Sequence, residues 1–465
     1  MSLSERHVLI LGLGESGLAM ARWCARQGAR LRIADSRDQP PGRDAVAREL
    51  PAADLHAGAF CHALLDGIDL LALSPGLAPY EPLVLEARRR GIEVVGEIEL
   101  FARALRELGW RDRAKVIAIT GTNGKTTTTT LVGALVRACG LSAQVCGNIS
   151  PAALDVLGRA LDSGDAPDVW VLELSSFQLE TTSTLDADAA TVLNVTQDHL
   201  DRYPDGIAGY ASAKQRIFGA RSVRVLNRDD ALVGAMQAPG ARHVSFGEGA
   251  PTAAGEFGLI ERDGRTWLAR GDTPLLAQDS MRLTGRHNAL NALAALALCE
   301  ACGLPQAPCL DALRTFDGLP HRVQAVLDIG DVRFIDDSKG TNVGATVAAI
   351  EGLGRSVCLI LGGDGKDQDF VPLGPVCERH ARFCALIGLD APAIATVLAR
   401  HGVGYRLCES LEEATRAAFA AAQPGDAVLL SPACASLDMF RNYAHRAEVF
   451  IAEARRLADA QKGKR

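Results

Sequence analysis

A chain of 465 residues is too long for one ordinary domain and suggests about three, each with ample core. With 48% hydrophobic and 23% charged residues and 46 glycines, it is neither disordered nor fibrous but reads as a Gly/Ala-rich α/β protein. A net charge of -7 argues against a nucleic-acid surface and leaves small anions as ligands. Met1 to His7 lack the basic-then-apolar pattern of a signal peptide, and no run approaches the roughly 18 apolar residues of a membrane span. A cytoplasmic enzyme without nucleic-acid partner or membrane insertion is therefore expected, and a monomer is the expected state. Its 12 cysteines are scattered, so buried reduced thiols are expected rather than disulfides. The one C-x-x-C, Cys299 to Cys302, has no second pair at zinc-like spacing, so neither metal nor redox use is expected of it.

The strand Val8 to Leu11 runs into Gly12-Leu13-Gly14-Glu15-Ser16-Gly17, followed by a helix from Leu18 to about Gln27 and a strand Arg30 to Ala34 that ends in Asp35. This βαβ opening places an acid where a dinucleotide-binding fold holds ribose, and taken alone it suggests NAD. A further strand, Leu70 to Leu73, stops at Ser74-Pro75-Gly76, and Val94-Val95 precede a helix beginning near Glu97. A first domain is predicted to close there, at residues 1–97.

After the polar stretch Arg106 to Lys115, the strand Val116 to Ile119 leads into Gly121-Thr122-Asn123-Gly124-Lys125-Thr126-Thr127 and then a helix. Glycines there let backbone N–H groups turn inward around phosphate, the helix N-terminus adds partial positive charge, Lys125 meets the outer phosphates from an exposed loop end, and a Thr hydroxyl can ligate magnesium. Ile119 stands where the common phosphate-loop pattern has its first glycine. Glu173 ends the strand Val169 to Leu174, and Asp198-His199 follow the strand Ala190 to Val195, so both groups are expected at a ligand-binding sheet edge. A hairpin near Ile260 to Leu268 should turn at Asp263-Gly264, and a helix Asn288 to Cys299 completes a central domain, 98–318. By composition Lys214 is a solvated helix lysine.

From Leu319 the pattern restarts with the apolar strands Val332 to Ile335, Val357 to Leu361, Phe383 to Ile387 and Ala427 to Leu430, a third α/β domain over 319–465. Strand ends carry Asp336-Asp337-Ser338-Lys339-Gly340-Thr341, Gly362 to Lys366, and Ser431 to Asp438. Two lysines there suit a dicarboxylate, and simple turn chemistry explains them equally well.

These motifs together resemble the Mur ligases of peptidoglycan synthesis, whose phosphate loop has the short form seen at Gly121 to Thr126. The likeness spans the whole chain and rests also on Glu173-Leu174-Ser175-Ser176-Phe177-Gln178-Leu179-Glu180, Asn194 to His199, Leu319-Pro320-His321-Arg322, Asp337-Ser338-Lys339 and Ser431 to Asp438. The fold it implies is α/β in three domains: an N-terminal Rossmann-like domain, a central phosphate-loop ATP-binding domain with a mostly parallel sheet, and a C-terminal Rossmann-like domain. The activity it implies is ATP-dependent amide-bond formation, joining D-glutamate to UDP-N-acetylmuramoyl-L-alanine through an acyl phosphate.

By that resemblance Gly121, Thr122, Asn123, Gly124, Lys125, Thr126, Thr127, Asn291, Arg322 and Asp337 would bind ATP. Thr126 and Glu173 would hold one Mg2+; His199 and a carbamylated Lys214 would hold a second. Lys125, Glu173, His199 and Lys214 would form the catalytic set. Gly14, Glu15, Ser16, Asp35, Ser36, Arg37, Gly76 and Asn148 would bind the UDP-sugar, and Lys339, Thr341, Lys366, Ser436, Leu437 and Tyr443 would receive D-glutamate. Tyr443 stands where the family leads one to expect phenylalanine, and Ser150 where it leads one to expect glycine. A nicotinamide-dependent oxidoreductase, resting on the glycine loop Gly12 to Gly17 and Asp35, and a folate-type glutamate ligase are the alternatives.

Overall fold

The computed structural model describes residues 3–283 and 285–462. These fall into two compact units: 1–194 with 210–276 and 291–314, and 195–209 with 277–290 and 315–465.

The first unit opens with five strands, β1 (His7–Leu11), β2 (Arg30–Asp35), β3 (Asp54–Ala57), β4 (Leu70–Leu73) and β5 (Glu93–Val95), in the order β3-β2-β1-β4-β5. All pairs are parallel. Val8 to Leu11 are wholly buried, as an unbroken apolar run demands of a strand covered on both faces. The helix Glu15–Arg26 starts three residues earlier than its apolar pattern suggested, because Gly14 already stands at its N-cap. A Cβ on Gly17 would lie 1.9 Å from the Gly12 carbonyl oxygen, so only glycine lets this helix pack so close to the turn that precedes it.

A second sheet in this unit holds β6 (Lys115–Thr120), β7 (Ala143–Gly147), β8 (Val169–Glu173), β9 (Ala189–Val192), β10 (Val223–Asn227), β11 (His243–Phe246), β12 (Phe257–Arg262), β13 (Arg265–Arg270) and β14 (Thr273–Ala277). Their order is β14-β13-β12-β11-β10-β9-β6-β8-β7. From β7 to β12 every pair is parallel, and β12 returns antiparallel into β13. That hairpin turns on Asp263 (φ 53°) and Gly264 (φ 71°), two successive left-handed residues as a type I′ turn requires. β9 ends at Val192, three residues short of the predicted Val195, and residues 195–209 belong to the second unit.

The second unit contains β15 (Gln324–Ile329), β16 (Val332–Asp336), β17 (Val357–Gly362), β18 (Ala381–Ile387), β19 (Tyr405–Leu407) and β20 (Ala427–Leu430), ordered β15-β16-β20-β17-β18-β19. Only the β15–β16 pair is antiparallel. The strand period divides β17 between two cores: Val357, Leu359 and Leu361 face one cluster, while Cys358 and Ile360 face the other with Phe334, Val428 and Leu430. Helices on both sides therefore bury the sheet and leave its strand ends and loops to carry polar groups. β15 and β19 were not foreseen; both lie at sheet edges and are largely exposed, so they lack the apolar run that marks a central strand.

Candidate active site

In the first unit the phosphate loop runs from the end of β6 into the helix Lys125–Ala138, whose N-cap is Gly124 at φ 81°. A Cβ on Gly124 would come within 2.4 Å of Asn291 Oδ1, so the glycine permits both the left-handed turn and the approach of Asn291. Asn291 is buried and accepts from Thr128 Oγ1 at 3.3 Å, which ties the helix Arg286–Ala301 to the first turn of the helix that follows the loop. Asn194, one residue past Leu193 beyond β9, braces the loop from the other side: its carbonyl accepts from Thr122 N at 2.9 Å and its Oδ1 from Asn123 N at 2.8 Å. Thr126 and Thr127 lie buried in the first helical turn.

Two lysines converge on this loop. Lys125 Nζ donates to the carbonyl oxygens of Gly121 at 2.9 Å and Thr122 at 2.8 Å, and Lys214 Nζ donates to the same Gly121 oxygen at 2.8 Å. Lys214 is 1% exposed and sits 4.3 Å from the ring centre of Tyr210, so the composition-based reading of a solvated lysine is corrected. An amphipathic count cannot see this, because the helix Gly206–Gln215 is rich in small residues that let neighbouring chain close over it. Lys125 is half-buried rather than exposed at its loop end, because its ammonium folds back onto the loop carbonyls.

Glu173 ends β8 directly beside β6, in register with Ile119, and is 2% exposed. Its Oε1 accepts from Asn148 Nδ2 at 2.7 Å, while Oε2 is buried without a hydrogen-bond partner among the described residues. A buried carboxylate oxygen with spare lone pairs and a buried Thr126 hydroxyl are hard oxygen donors of the kind magnesium takes, so the residues present fit that ion. Among the described residues no cluster of three or more His, Cys, Asp or Glu side chains could by itself hold a metal. Asn148, assigned above to the sugar ligand, thus sits against Glu173.

At the N-terminal sheet, Asp35 is buried and saturated: Oδ2 accepts from Leu13 N at 2.7 Å and from Arg37 Nη2 at 2.7 Å, and Oδ1 from Arg37 N at 2.9 Å and Nε at 2.8 Å. The Arg37 guanidinium, opposed by burial and helped by the Leu13 amide, draws its pKa down to about 2. A carboxylate so occupied with holding Arg37 is a poor match to the ribose-binding acid of an NAD site. Glu15 Oε1 accepts from Ser150 Oγ at 2.7 Å and Ala152 N at 3.2 Å, so the serine that replaces the expected glycine has a partner. Ser16 bonds to the buried Glu97, whose carboxyl burial pushes up to about 7. A cleft of about 320 Å³ opens beside Ser36, lined also by Phe60, His62, Leu77, Glu81 and Leu83. Gly14 and Gly76 border open space, where a Cβ would meet nothing within 4 Å.

In the second unit the predicted residues gather at strand ends. Asp337, just past β16, accepts from Ser431 Oγ at 2.6 Å and Val323 N at 3.3 Å; burial pushes its pKa up to about 7 against the pull of Ser431 and Arg322. Lys339 Nζ lies 3.3 Å from Tyr443 Oη and 4.7 Å from the centre of that ring. Lys366, in a left-handed conformation beyond β17, reaches Asp198 Oδ1 at 3.7 Å, and Asp198 Oδ2 lies 3.5 Å from His199 Nε2. Thr341 is half-buried and its amide bonds to the Lys339 carbonyl, Ser436 is buried, and Leu437 is 73% exposed.

Arg446 was not foreseen. Fully buried, it donates to the Ser338, Cys434 and Ala435 carbonyls and to Ser338 Oγ, clamping the two loops that carry Lys339 and Ser436. An arginine in a helix ordinarily reads as surface, so no local signal marks it. Asn194 had a signal in its place past a strand beside β6, the edge where open α/β sheets bind ligands.

A mostly parallel sheet with this short phosphate loop and a buried acid beside it forms a site suited to the phosphates of a nucleotide. Three family models match the chain: the Mur ligase MurD-like N-terminal domain at residues 6–96, the Mur ligase middle domain at 119–299 and the Mur ligase glutamate ligase domain at 321–434. The UDP-N-acetylmuramoylalanine--D-glutamate ligase of Aromatoleum aromaticum is 58% identical over 464 residues, 99% of each chain, and that of Burkholderia thailandensis is 54% identical over 481 residues, 95% of each. Among solved structures, MurF from Acinetobacter baumannii superposes with a TM-score of 0.61 at 18% identity, covering 97% of this chain and 91% of that one. UDP-N-acetylmuramate-alanine ligase from Thermotoga maritima does so at 0.60 and 20%, covering 97% and 99%. These two likenesses establish the fold. The chain belongs to the Mur ligase family.

Proposed function

We infer that this protein is the ATP-dependent ligase that joins D-glutamate to UDP-N-acetylmuramoyl-L-alanine in the synthesis of peptidoglycan precursors. The observation that carries the reading is the phosphate loop with Lys125 and Lys214 on one carbonyl and the buried Glu173 beside it, in a chain that matches D-glutamate ligases along nearly its whole length.

The substrate carboxylate attacks the γ-phosphorus of ATP in line, ADP leaves, and an acyl phosphate remains. The free amine of D-glutamate then attacks the acyl carbon, phosphate departs, and the amine proton is lost as the amide forms. The N-terminus of the 14-residue helix that begins at Lys125 stabilises phosphate charge, and Lys125 can swing from the loop carbonyls to the transferring group. Magnesium bound at Thr126 and Glu173 would supply the charge neutralisation that phosphoryl transfer needs. His199 and a carbamate on Lys214 would hold a second ion, since carbamylation converts the buried ammonium into an anionic oxygen ligand. Asn291, Arg322 and Asp337 would contact the nucleotide.

The N-terminal loop, with Gly14, Glu15, Ser16, Asp35 to Arg37, Gly76 and the adjoining cleft, would take the UDP-sugar, and Asn148 would align Glu173 as well as meet that substrate. Lys339, Thr341, Lys366, Ser436, Leu437 and Tyr443 would receive D-glutamate, with two ammonium groups matched to two carboxylates. The domains are assigned to residues 1–97, 98–318 and 319–465. Among the described residues no helix is long and apolar enough to cross a membrane. The enzyme would work in the cytoplasm, as a monomer, on small molecules and without nucleic acid.

The test is phosphate release with ATP, UDP-N-acetylmuramoyl-L-alanine and each glutamate isomer in turn. Release that depends on the D isomer and the UDP-sugar is expected; equal turnover with L-glutamate, or with a folate in place of the UDP-sugar, would overturn the assignment.

A further inference from the structure

Four of the 12 cysteines lie near one another in the first unit. Cys139 caps the C-terminus of the helix Lys125–Ala138, Cys299 lies in the helix Arg286–Ala301 with Cys302 just beyond it, and Cys309 lies in the helix Gln306–Thr315. The sulfurs of Cys139 and Cys309 are 3.6 Å apart, and Cys309 also shares a hydrogen bond with the Cys299 thiol. Cys139 is half-buried and also reaches the Pro305 carbonyl at 3.8 Å, whereas Cys299 and Cys309 are each 1% exposed. No metal-holding cluster of these residues exists among the described residues, which removes a thiolate metal centre as the explanation.

We propose that Cys139 and Cys309 are a modification site, a dithiol that peroxide converts to a disulfide and that small thiols reduce again. The sulfurs already touch, and reaching a bond of about 2.05 Å asks them to close by only about 1.5 Å. Cys139 stands at a helix end between the exposed Ala138 and Gly140, where the backbone can yield. Within the pair the two thiols differ: hydrogen bonds from the Cys299 and Cys139 thiols pull Cys309 down to about 7, while burial and the bond to Cys309 push Cys139 up to about 11, so Cys309 is the thiol that ionises.

The chemistry balances with peroxide as the oxidant. The Cys309 thiolate attacks one peroxide oxygen, the O–O bond breaks, hydroxide leaves and a sulfenic acid forms. The Cys139 sulfur then attacks that sulfur and expels the hydroxyl group, which departs as water with the Cys139 proton. Two thiols are oxidised by two electrons and one peroxide becomes two waters. The resulting bond ties the far end of the helix that begins at Lys125 to the segment after the helix that carries Asn291. It thus pins the two helices that frame the phosphate loop from the side remote from the ligands.

The experiment treats the full chain with stoichiometric hydrogen peroxide, blocks remaining thiols with N-ethylmaleimide and maps peptides without reduction by mass spectrometry. A Cys139–Cys309 linked peptide that dithiothreitol cleaves is expected, at a dose that leaves the exposed Cys61 alkylated. Cys139→Ser, chosen because this position is half-buried and its helix ends there, should lose the linkage and leave a Cys309 sulfenic acid that dimedone traps. Oxidation of Cys61 ahead of the pair, a Cys299–Cys309 linkage instead, or both thiols still alkylated after treatment would overturn the proposal, and the wild-type map decides this even if the variant misfolds.

Discussion

Lys214→Ala separates the fold from the chemistry at the phosphate loop. The substitution removes three buried methylenes, costing roughly 2.5 kcal/mol at about 0.8 kcal/mol each, together with one charge-assisted donor to the Gly121 oxygen. That oxygen keeps Lys125 at 2.9 Å, so it is not left unsatisfied, and the total destabilisation should stay near 2–4 kcal/mol, tolerable for a protein of this size. Activity should suffer far more, because loss of an anionic metal ligand at a site of phosphoryl transfer costs on the order of 10²–10³ in turnover or more. The vacated space lies beside the loop and is long enough for a small carboxylic acid, whose oxygens can stand where the carbamate oxygens would. Phosphate release measured against acetate or formate concentration, alongside a circular dichroism melt, reads both effects. Saturable partial rescue is expected in Lys214→Ala and none in Lys125→Ala. A folded Lys214→Ala enzyme that keeps activity within tenfold of wild type would refute the carbamate.

Lys125→Ala should abolish ligation with the circular dichroism spectrum unchanged, since Lys214 still satisfies the Gly121 carbonyl. Lys339→Ala and Lys366→Ala should each raise the KM for D-glutamate more than that for ATP in steady-state assays, and a larger effect on ATP would put these lysines on the wrong ligand. Asp337 gives a pH test: burial raises its carboxyl from the ordinary 3.8 to about 7, so the native state binds a proton more tightly than the unfolded chain. Its contribution is therefore full below pH 4 and is lost as pH rises toward 7, by up to roughly 4 kcal/mol. Thermal melts at pH 5 and pH 8 should show a larger relative loss for wild type than for Asp337→Asn, whose neutral amide has no such ionisation, and identical pH slopes would contradict the buried carboxyl.

Much of this was legible because parallel strands buried on both faces must be short, apolar and uninterrupted. β1, β6, β17 and β20 announce themselves that way, and the phosphate loop follows one of them with the glycines and lysine that anion binding demands. The Asp263-Gly264 turn was equally local, since a type I′ turn depends on two adjacent residues. Edge strands such as β15 and β19 escaped notice because a strand with one open side needs no apolar run.

Patterns local in sequence thus settled the three α/β folds and the phosphate loop, since backbone geometry and burial act over a few neighbouring residues. Only the tertiary structure decided that Lys214 is buried at Gly121, that Asn194 braces the loop, that Arg446 clamps two loops and that Cys139 meets Cys309. Those groups are far apart in the chain. Their state depends on what packs over them, because the free energy of a charge or a thiol is set by the dielectric and the partners that surround it.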